Sequence, residues 1–208
     1  MKNLIKKIYS KQNREIALYE QYGNQKTILV IGVVHGEEPQ GKSLITNYVE
    51  KPNKNRMLFI PCLNPDGFVK KERQNSNGVD LNRNYPTKNW IKSERNQYFG
   101  GEEPASEIET KFVLSVFEEY KPEIILTVHA PYKVVNYDGP AKEYAEKISE
   151  IIGFQTSSDI GYPTPGSMGN YFGVERNIPI ITLELDENIP VENIQSKFNE
   201  VIDYLANC

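Results

Sequence analysis

Four short apolar runs organise the chain: residues 28–34, 57–61, 124–129 and 180–185. They are continuous rather than alternating, which is how strands buried on both faces read. Residues 133–137 form a further candidate strand. Helical spacing fills the intervals. One helix is expected from near Glu38, with Pro39 suited to a first helical position, to about Val49. A second starts near Pro104 and carries Ile108, Phe112, Val113, Val116 and Phe117 on one face. Others cover residues 141–152, 167–176 and 191–206. Strands alternating with helices predict an α/β fold. We expect a single domain over residues 1–208, with a mostly parallel or mixed central sheet and helices on both faces. The first 25 residues predict no more than an initial strand or hairpin.

Residues 64–101 break this rhythm. They are rich in Asn, Gly, Arg and Lys and only weakly periodic. So long a connection within a compact domain is usually functional. Asn64-Pro65-Asp66-Gly67 reads as a turn. Arg73 and Arg83 would ordinarily be solvated surface charge. A guanidinium fork also binds carboxylates bidentately. Two arginines and several amides on one loop therefore suit an anionic substrate.

The sequence contains only two histidines. His35 and His129 each close a predicted buried strand, at the edge where open α/β sheets bind ligands. Glu38 follows His35 by three positions. Two imidazoles and one carboxylate make a three-ligand catalytic zinc set, with a fourth position for water. His-x-x-Glu alone is a weak signal. It gains weight because the other histidine also ends a strand. Two histidines with no role beyond strand-end packing would rarely both fall there. Gly36, between the ligands, is expected to keep a side chain away from the metal. Glu184 lies in an apolar strand. An acid there either faces solvent at a sheet edge or, partly desolvated near a metal, serves as a proton shuttle.

Composition narrows the class without choosing a reaction. Hydrophobic residues make up 38% and charged residues 25%, ordinary for a globular protein. A net charge of -4 gives no reason to expect a nucleic-acid partner. No apolar run approaches the roughly 20 residues needed to span a bilayer, so no membrane partner is expected. Lys6 and Lys7 interrupt any signal-like segment, and a cytoplasmic protein is expected. Cys62 and Cys208 suggest neither a disulfide nor a zinc ribbon.

Further stretches add specificity in combination: Arg73, residues 78–86 (Gly-Val-Asp-Leu-Asn-Arg-Asn-Tyr-Pro), Tyr98-Phe99-Gly100-Gly101, Ser106-Glu107, His129-Ala130-Pro131, Thr164-Pro165-Gly166-Ser167 and Thr182-Leu183-Glu184-Leu185. With His35-Gly36-Glu37-Glu38 and Asn64-Pro65-Asp66-Gly67, they resemble the zinc carboxypeptidase family. Within it, the likeness is to the branch that trims murein peptides. The resemblance implies that His35, Glu38 and His129 hold one zinc ion. It implies that Asp80 orients His35 and that Arg73 polarises the scissile carbonyl. Asn82 and Arg83 would grip the free carboxylate of the released residue, and Glu184 would be general base and acid. A tyrosine is expected to close over the substrate. Tyr162 is the nearest candidate, with Tyr132 and Tyr171 as alternatives.

The implied substrate is a small murein peptide with free carboxylates, such as L-Ala-γ-D-Glu-meso-diaminopimelate, cut between γ-D-Glu and diaminopimelate. The competing enzyme reading is an N-acyl amino acid deacylase of the aspartoacylase and succinylglutamate desuccinylase type, which shares the His-Gly-x-Glu and Asp-Leu-Asn-Arg elements. A metal-bound binding module would be expected to lack a ligand or the base. Ser167 lies in an elbow-like stretch, but no spare histidine remains to activate it.

Overall fold

A chain with buried, unbroken apolar strands must cover both faces of its sheet, and this one does. The structure, a computed structural model, describes residues 3–48 and 50–208. Its strands are β1 (Asn3–Tyr9), β2 (Glu15–Gln21), β3 (Thr27–Gly32), β4 (Arg56–Ile60), β5 (Ile124–His129), β6 (Val134–Asp138), β7 (Gln155–Ser157) and β8 (Ile180–Glu184). They form one eight-stranded sheet in the order β1-β2-β4-β3-β5-β8-β6-β7. The central four, β4-β3-β5-β8, run parallel. Antiparallel pairings flank them, so the sheet is mixed. The helices are α1 (Gln40–Asn47), α2 (Pro65–Lys70), α3 (Ile108–Tyr120), α4 (Lys142–Ile152) and α5 (Val191–Leu205).

Alternate residues of each central strand feed two cores. Val30, Leu126 and Leu183 pack with Leu44 of α1, Ile148 of α4 and Phe198 of α5. Leu29, Ile31 and Ile125 pack on the opposite face with Phe112, Val113 and Val116 of α3. The expected α/β architecture is therefore met. Among the described residues, no helix is long and apolar enough to cross a membrane. Both cysteines are free thiols.

Several boundaries move, each for a local reason. The opening residues form the β1–β2 hairpin, and β2 adds to the sheet through β4. The helix expected to end near Val49 is α1; that end lies outside the described residues. α3 starts at Ile108 rather than near Pro104, because the preceding residues are bonded to the long loop. Ala105 N–H donates to the Asn84 carbonyl at 2.6 Å, and Glu107 N–H to Asn84 Oδ1 at 3.2 Å. The helix expected over residues 167–176 is a π-helical segment, Gly169–Val174. β7, only three residues long, has no apolar signature to betray it.

The long loop is not structureless. Asn64 Oδ1 accepts from the Gly67 N–H at 2.9 Å, and Pro65 occupies the first helical turn, so this motif caps a helix instead of making a plain turn. Asp66, fully buried, accepts from Ser10 Oγ and Arg14 Nη1, both at 2.7 Å, tying the loop to the hairpin.

β3 ends at Gly32, earlier than expected, and Val33 leaves the sheet with φ 50°. A β-branched residue rarely adopts that conformation. The bend carries the chain into a turn closed by Glu38 N–H donating to the His35 carbonyl at 3.2 Å. Gly36 also serves a packing purpose: a Cβ there would lie 1.9 Å from the Gly67 carbonyl carbon. Gly36→Ala should therefore force the turn off α2 and cost about 1–3 kcal/mol or more. Thermal unfolding of the variant checks this, and a melting temperature equal to the parent's would contradict it.

Candidate metal centre

The carboxyl ends of β3, β5 and β8 lie side by side, because these strands are parallel neighbours. His129 is the last residue of β5 and pairs in register with Glu184, the last of β8. His35 arrives from the turn after β3. Glu38 lies between the imidazoles: His35 Nδ1 is 2.9 Å from Glu38 Oε1, and His129 Nδ1 is 2.8 Å from Glu38 Oε2. The ligand atoms of the three residues lie within 4.8 Å of one another. All three side chains are buried.

Asp80 sets the direction of this cluster. Its Oδ1 takes the His35 Nε2–H at 3.0 Å, which turns Nδ1 toward Glu38. Its Oδ2 accepts from Arg73 Nε at 2.9 Å. Arg73 Nη1 is thereby placed 3.3 Å from His35 Nδ1 and 3.8 Å from Glu38 Oε1. Burial alone would lower the His35 pKa, but the Glu38 and Asp80 charges outweigh it and push the ring up to about 9. Burial likewise opposes ionisation of Asp80 and Glu38. The imidazole charges on both, and the guanidinium on Asp80, hold the two carboxyls far below their ordinary range.

The donor set fits zinc. Two imidazole nitrogens and one carboxylate converge, one imidazole is already oriented by a second carboxylate, and a further acid stands by with one oxygen unpartnered among the described residues. That acid is Glu184, whose buried Oε2 has no hydrogen-bond partner among the described residues. Desolvation pushes its pKa up, against the pull of His129.

The cluster opens into a cleft of about 370 Å³ that also holds Arg73, Asn82, Arg83, Tyr132 and Tyr162. Every residue singled out from the sequence thus falls in or beside one cavity, except Tyr171. Tyr171 is 7% exposed and packs on Tyr85 and Phe172, so it cannot close over a substrate. Tyr132 and Tyr162 stand at the mouth, their hydroxyls 3.5 Å apart. Asn82 Oδ1 accepts from the Met168 N–H at 2.9 Å. Arg83, 7% exposed, donates from Nη1 to the Asn82 carbonyl at 2.7 Å and forms no ion pair among the described residues. Ser167 Oγ accepts from Asn170 N–H at 3.1 Å and lies 3.3 Å from Thr164 Oγ1, with no hydrogen bond to either histidine among the described residues.

Other cleft residues were given no role from the sequence. The Tyr98 ring faces both guanidiniums, with its centroid 5.3 Å from Arg73 Cζ and 5.8 Å from Arg83 Cζ. Thr127, Thr182, Asn136 and Asp138 line the inner wall. Their signal was present: each is a polar residue on one face of an otherwise apolar strand.

The charge balance sets a pH dependence. The His35 pKa rises on folding from its ordinary 6.5 to about 9, so its proton contributes stability fully below 6.5. That contribution is lost as pH rises through about 9. Chelator-treated protein should therefore melt at lower temperature at pH 9 than at pH 6.5. Metal must displace the same proton, so apparent zinc affinity should rise about tenfold per pH unit over this interval. Calorimetric titration against pH checks the second effect, and a flat profile would contradict it.

Comparison with known proteins agrees with this geometry. Murein peptide amidase A of Escherichia coli (strain K12) is 28% identical over 170 residues, spanning 75% of this chain and 69% of that protein. Carboxypeptidase D of Anas platyrhynchos is 32% identical over 130 residues, spanning 51% of this chain and 9% of that one. The crystal structure of a murein-tripeptide amidase from Escherichia coli O157 shares the fold, with a TM-score of 0.82, 23% identity and coverage of 95% and 89% of the two chains. Thrombin-activatable fibrinolysis inhibitor shares it as well, with a TM-score of 0.79, 17% identity and coverage of 98% and 69%. The zinc carboxypeptidase profile matches residues 4–149. The chain therefore belongs to the zinc carboxypeptidase family and is a metallopeptidase-type hydrolase of peptide or amide bonds.

Proposed function

We propose that the protein cleaves the amide bond between γ-D-Glu and meso-diaminopimelate in small murein peptides, with residues 1–208 acting as one catalytic domain. The observation that carries this reading is Arg83. Arg83, 7% exposed and in no ion pair among the described residues, stands in the same cleft as a His/Glu/His cluster. A buried unpaired cation is costly unless an anion completes it. A substrate carboxylate supplies that anion. Similarity to murein peptide amidase A over 75% of the chain supports the choice of peptide.

His35, Glu38 and His129 would hold one zinc ion. When bound, zinc supplies Lewis acidity and a water of lowered pKa. Glu184, raised above its ordinary pKa and unpartnered at Oε2, takes a proton from the attacking water. It then returns that proton to the leaving amine nitrogen. Arg73, braced by Asp80, directs its guanidinium at the carbonyl oxygen as negative charge develops there. Asn82 and Arg83 bind the free carboxylate of the released residue, so that the scissile bond meets the water. The side-chain amide nitrogen of Asn82 is available for this, because Met168 occupies only its oxygen. Tyr162, 38% exposed at the mouth, covers the bound peptide.

Mass spectrometry of zinc-loaded protein with L-Ala-γ-D-Glu-meso-diaminopimelate, N-acetyl-aspartate and N-succinyl-glutamate tests the reading. Chelator-sensitive release of diaminopimelate is expected. Hydrolysis of the acyl amino acids alone would replace it with the deacylase reading. Glu184→Gln should retain zinc and lose a factor of about 10²–10⁴ in kcat. Near-parental turnover would remove Glu184 from the mechanism. Arg83→Ala should raise KM by about tenfold or more, the size expected for a lost hydrogen bond to a charged group. An unchanged KM would argue against carboxylate binding there.

A further inference from the structure

Tyr162 stands where no core holds it. On one side lies the cleft with the histidines, and on the other a second cavity of about 470 Å³ bounded by Ile91, Pro163 and Pro165. Among the described residues its hydroxyl meets that of Tyr132, at 3.5 Å. A side chain so placed takes its position from its backbone. Pro163 and Pro165 each lock their own φ at about −65°. Each also restricts the residue before it, Tyr162 and Thr164. The stretch from Tyr162 to Gly166 is therefore stiff, and it is set by whatever fixes Gly166.

Gly166 is gripped by the chain that follows Arg83. Its carbonyl accepts from the Tyr85 N–H at 2.9 Å, and its N–H donates to Thr87 Oγ1 at 3.1 Å. Thr87 Oγ1 donates in turn to Asn89 Oδ1 at 2.6 Å, which leaves its lone pairs for Gly166. Asn89 Oδ1 itself lies 3.4 Å from the Gly166 nitrogen. The fit is close: Gly166 has φ 72°, and a Cβ there would lie 2.2 Å from the Arg83 carbonyl oxygen and 2.8 Å from Trp90 Cδ1. On the far side, the Thr164 carbonyl accepts from Ser167 N–H at 3.2 Å and from Asn170 Nδ2 at 2.7 Å. A buried hydroxyl on one segment thus fixes the turn that leads back to Tyr162 on another.

We infer that Thr87 is a positioning residue, acting through Gly166 to hold the Tyr162 ring over the bound substrate. This rests on the proposed role of Tyr162 as the cover, and it names the group that keeps the cover in place. Thr87 does not line the cleft. Without its hydroxyl, the Gly166 N–H loses its near acceptor and a buried donor is left poorly satisfied. The proline-stiffened stretch then shifts as one piece and carries the ring from the mouth. The histidines, Glu38, Glu184 and Arg73 are held by other contacts and stay in place. The loss therefore falls on substrate binding and not on the chemical step.

The test is a double-mutant cycle between Thr87 and Tyr162, read by steady-state kinetics of the zinc-loaded protein. Thr87→Val, close in shape but without the hydroxyl, should raise KM by about tenfold and leave kcat within about twofold. Thr87→Ser keeps the hydroxyl and should restore the parental KM. In a Tyr162→Ala background, Thr87→Val should add no further change. A rise in KM that persists without the Tyr162 ring would overturn the assignment. So would a serine variant as impaired as the valine one, or a loss confined to kcat. Should Thr87→Val fail to fold, Asn89→Ala, at an exposed position, repeats the cycle. Its KM should rise by about threefold, again only while Tyr162 is present, and no rise would overturn the proposal. Each variant is assayed on the γ-D-glutamyl tripeptide and on α-linked benzoyl-glycyl peptides. Turnover of only the α-linked series, with the coupling intact, would remove the γ-D-glutamyl reading and leave Thr87 in its role.

Discussion

Asp80 is the hinge of the site. A fully buried carboxylate holds an imidazole with one oxygen and a guanidinium with the other. Left alone in such surroundings it would be strongly destabilising, and paired on both sides it is fixed in ionised form. That single group decides which nitrogen of His35 faces Glu38 and where the Arg73 guanidinium points. Its backbone is fixed in turn, because the Asp80 N–H donates to the Phe99 carbonyl at 2.8 Å and Oδ1 accepts from the Asn82 N–H at 2.9 Å. The latter bond caps the turn that presents Asn82 and Arg83. The proposed metal, oxyanion and carboxylate sites therefore share one buried support.

That support sits on a loop, and the loop is precise because it is heavily bonded. Asn75 reaches Glu107 at 2.7 Å and Glu109 at 3.2 Å, while Asn84 spans Gly100 and Ser106. Glu109 is 1% exposed, and burial pushes its pKa up to about 7. These side chains take the place of the backbone ladders that a strand or helix would supply. The asparagine-rich composition follows from this: amides satisfy buried loop backbone without adding charge.

The opposite wall of the cleft is made by the sheet itself. Parallel β5 and β8 bring His129 and Glu184 into register, and antiparallel β6 continues the rows to Asn136 and Asp138. A cationic pair of arginines on the loop thus faces carboxylates on the sheet across one small cavity.

Much of this was legible in the chain alone. Largely apolar runs announced buried parallel strands, because a strand covered on both faces leaves few positions for polar residues. Two histidines at the ends of such runs, with Glu38 nearby, announced the ligand set. The unusual loop announced its arginines. Tertiary structure decided the rest. Strand β1 is largely exposed, and its pattern is weak without β2, the neighbour it pairs with. Gly36 is required by the Gly67 backbone, a contact between segments that local spacing does not register. Tyr162 was the nearest candidate to cover the substrate, with Tyr132 and Tyr171 as alternatives, and packing sent Tyr171 to the core and the other two to the cleft mouth.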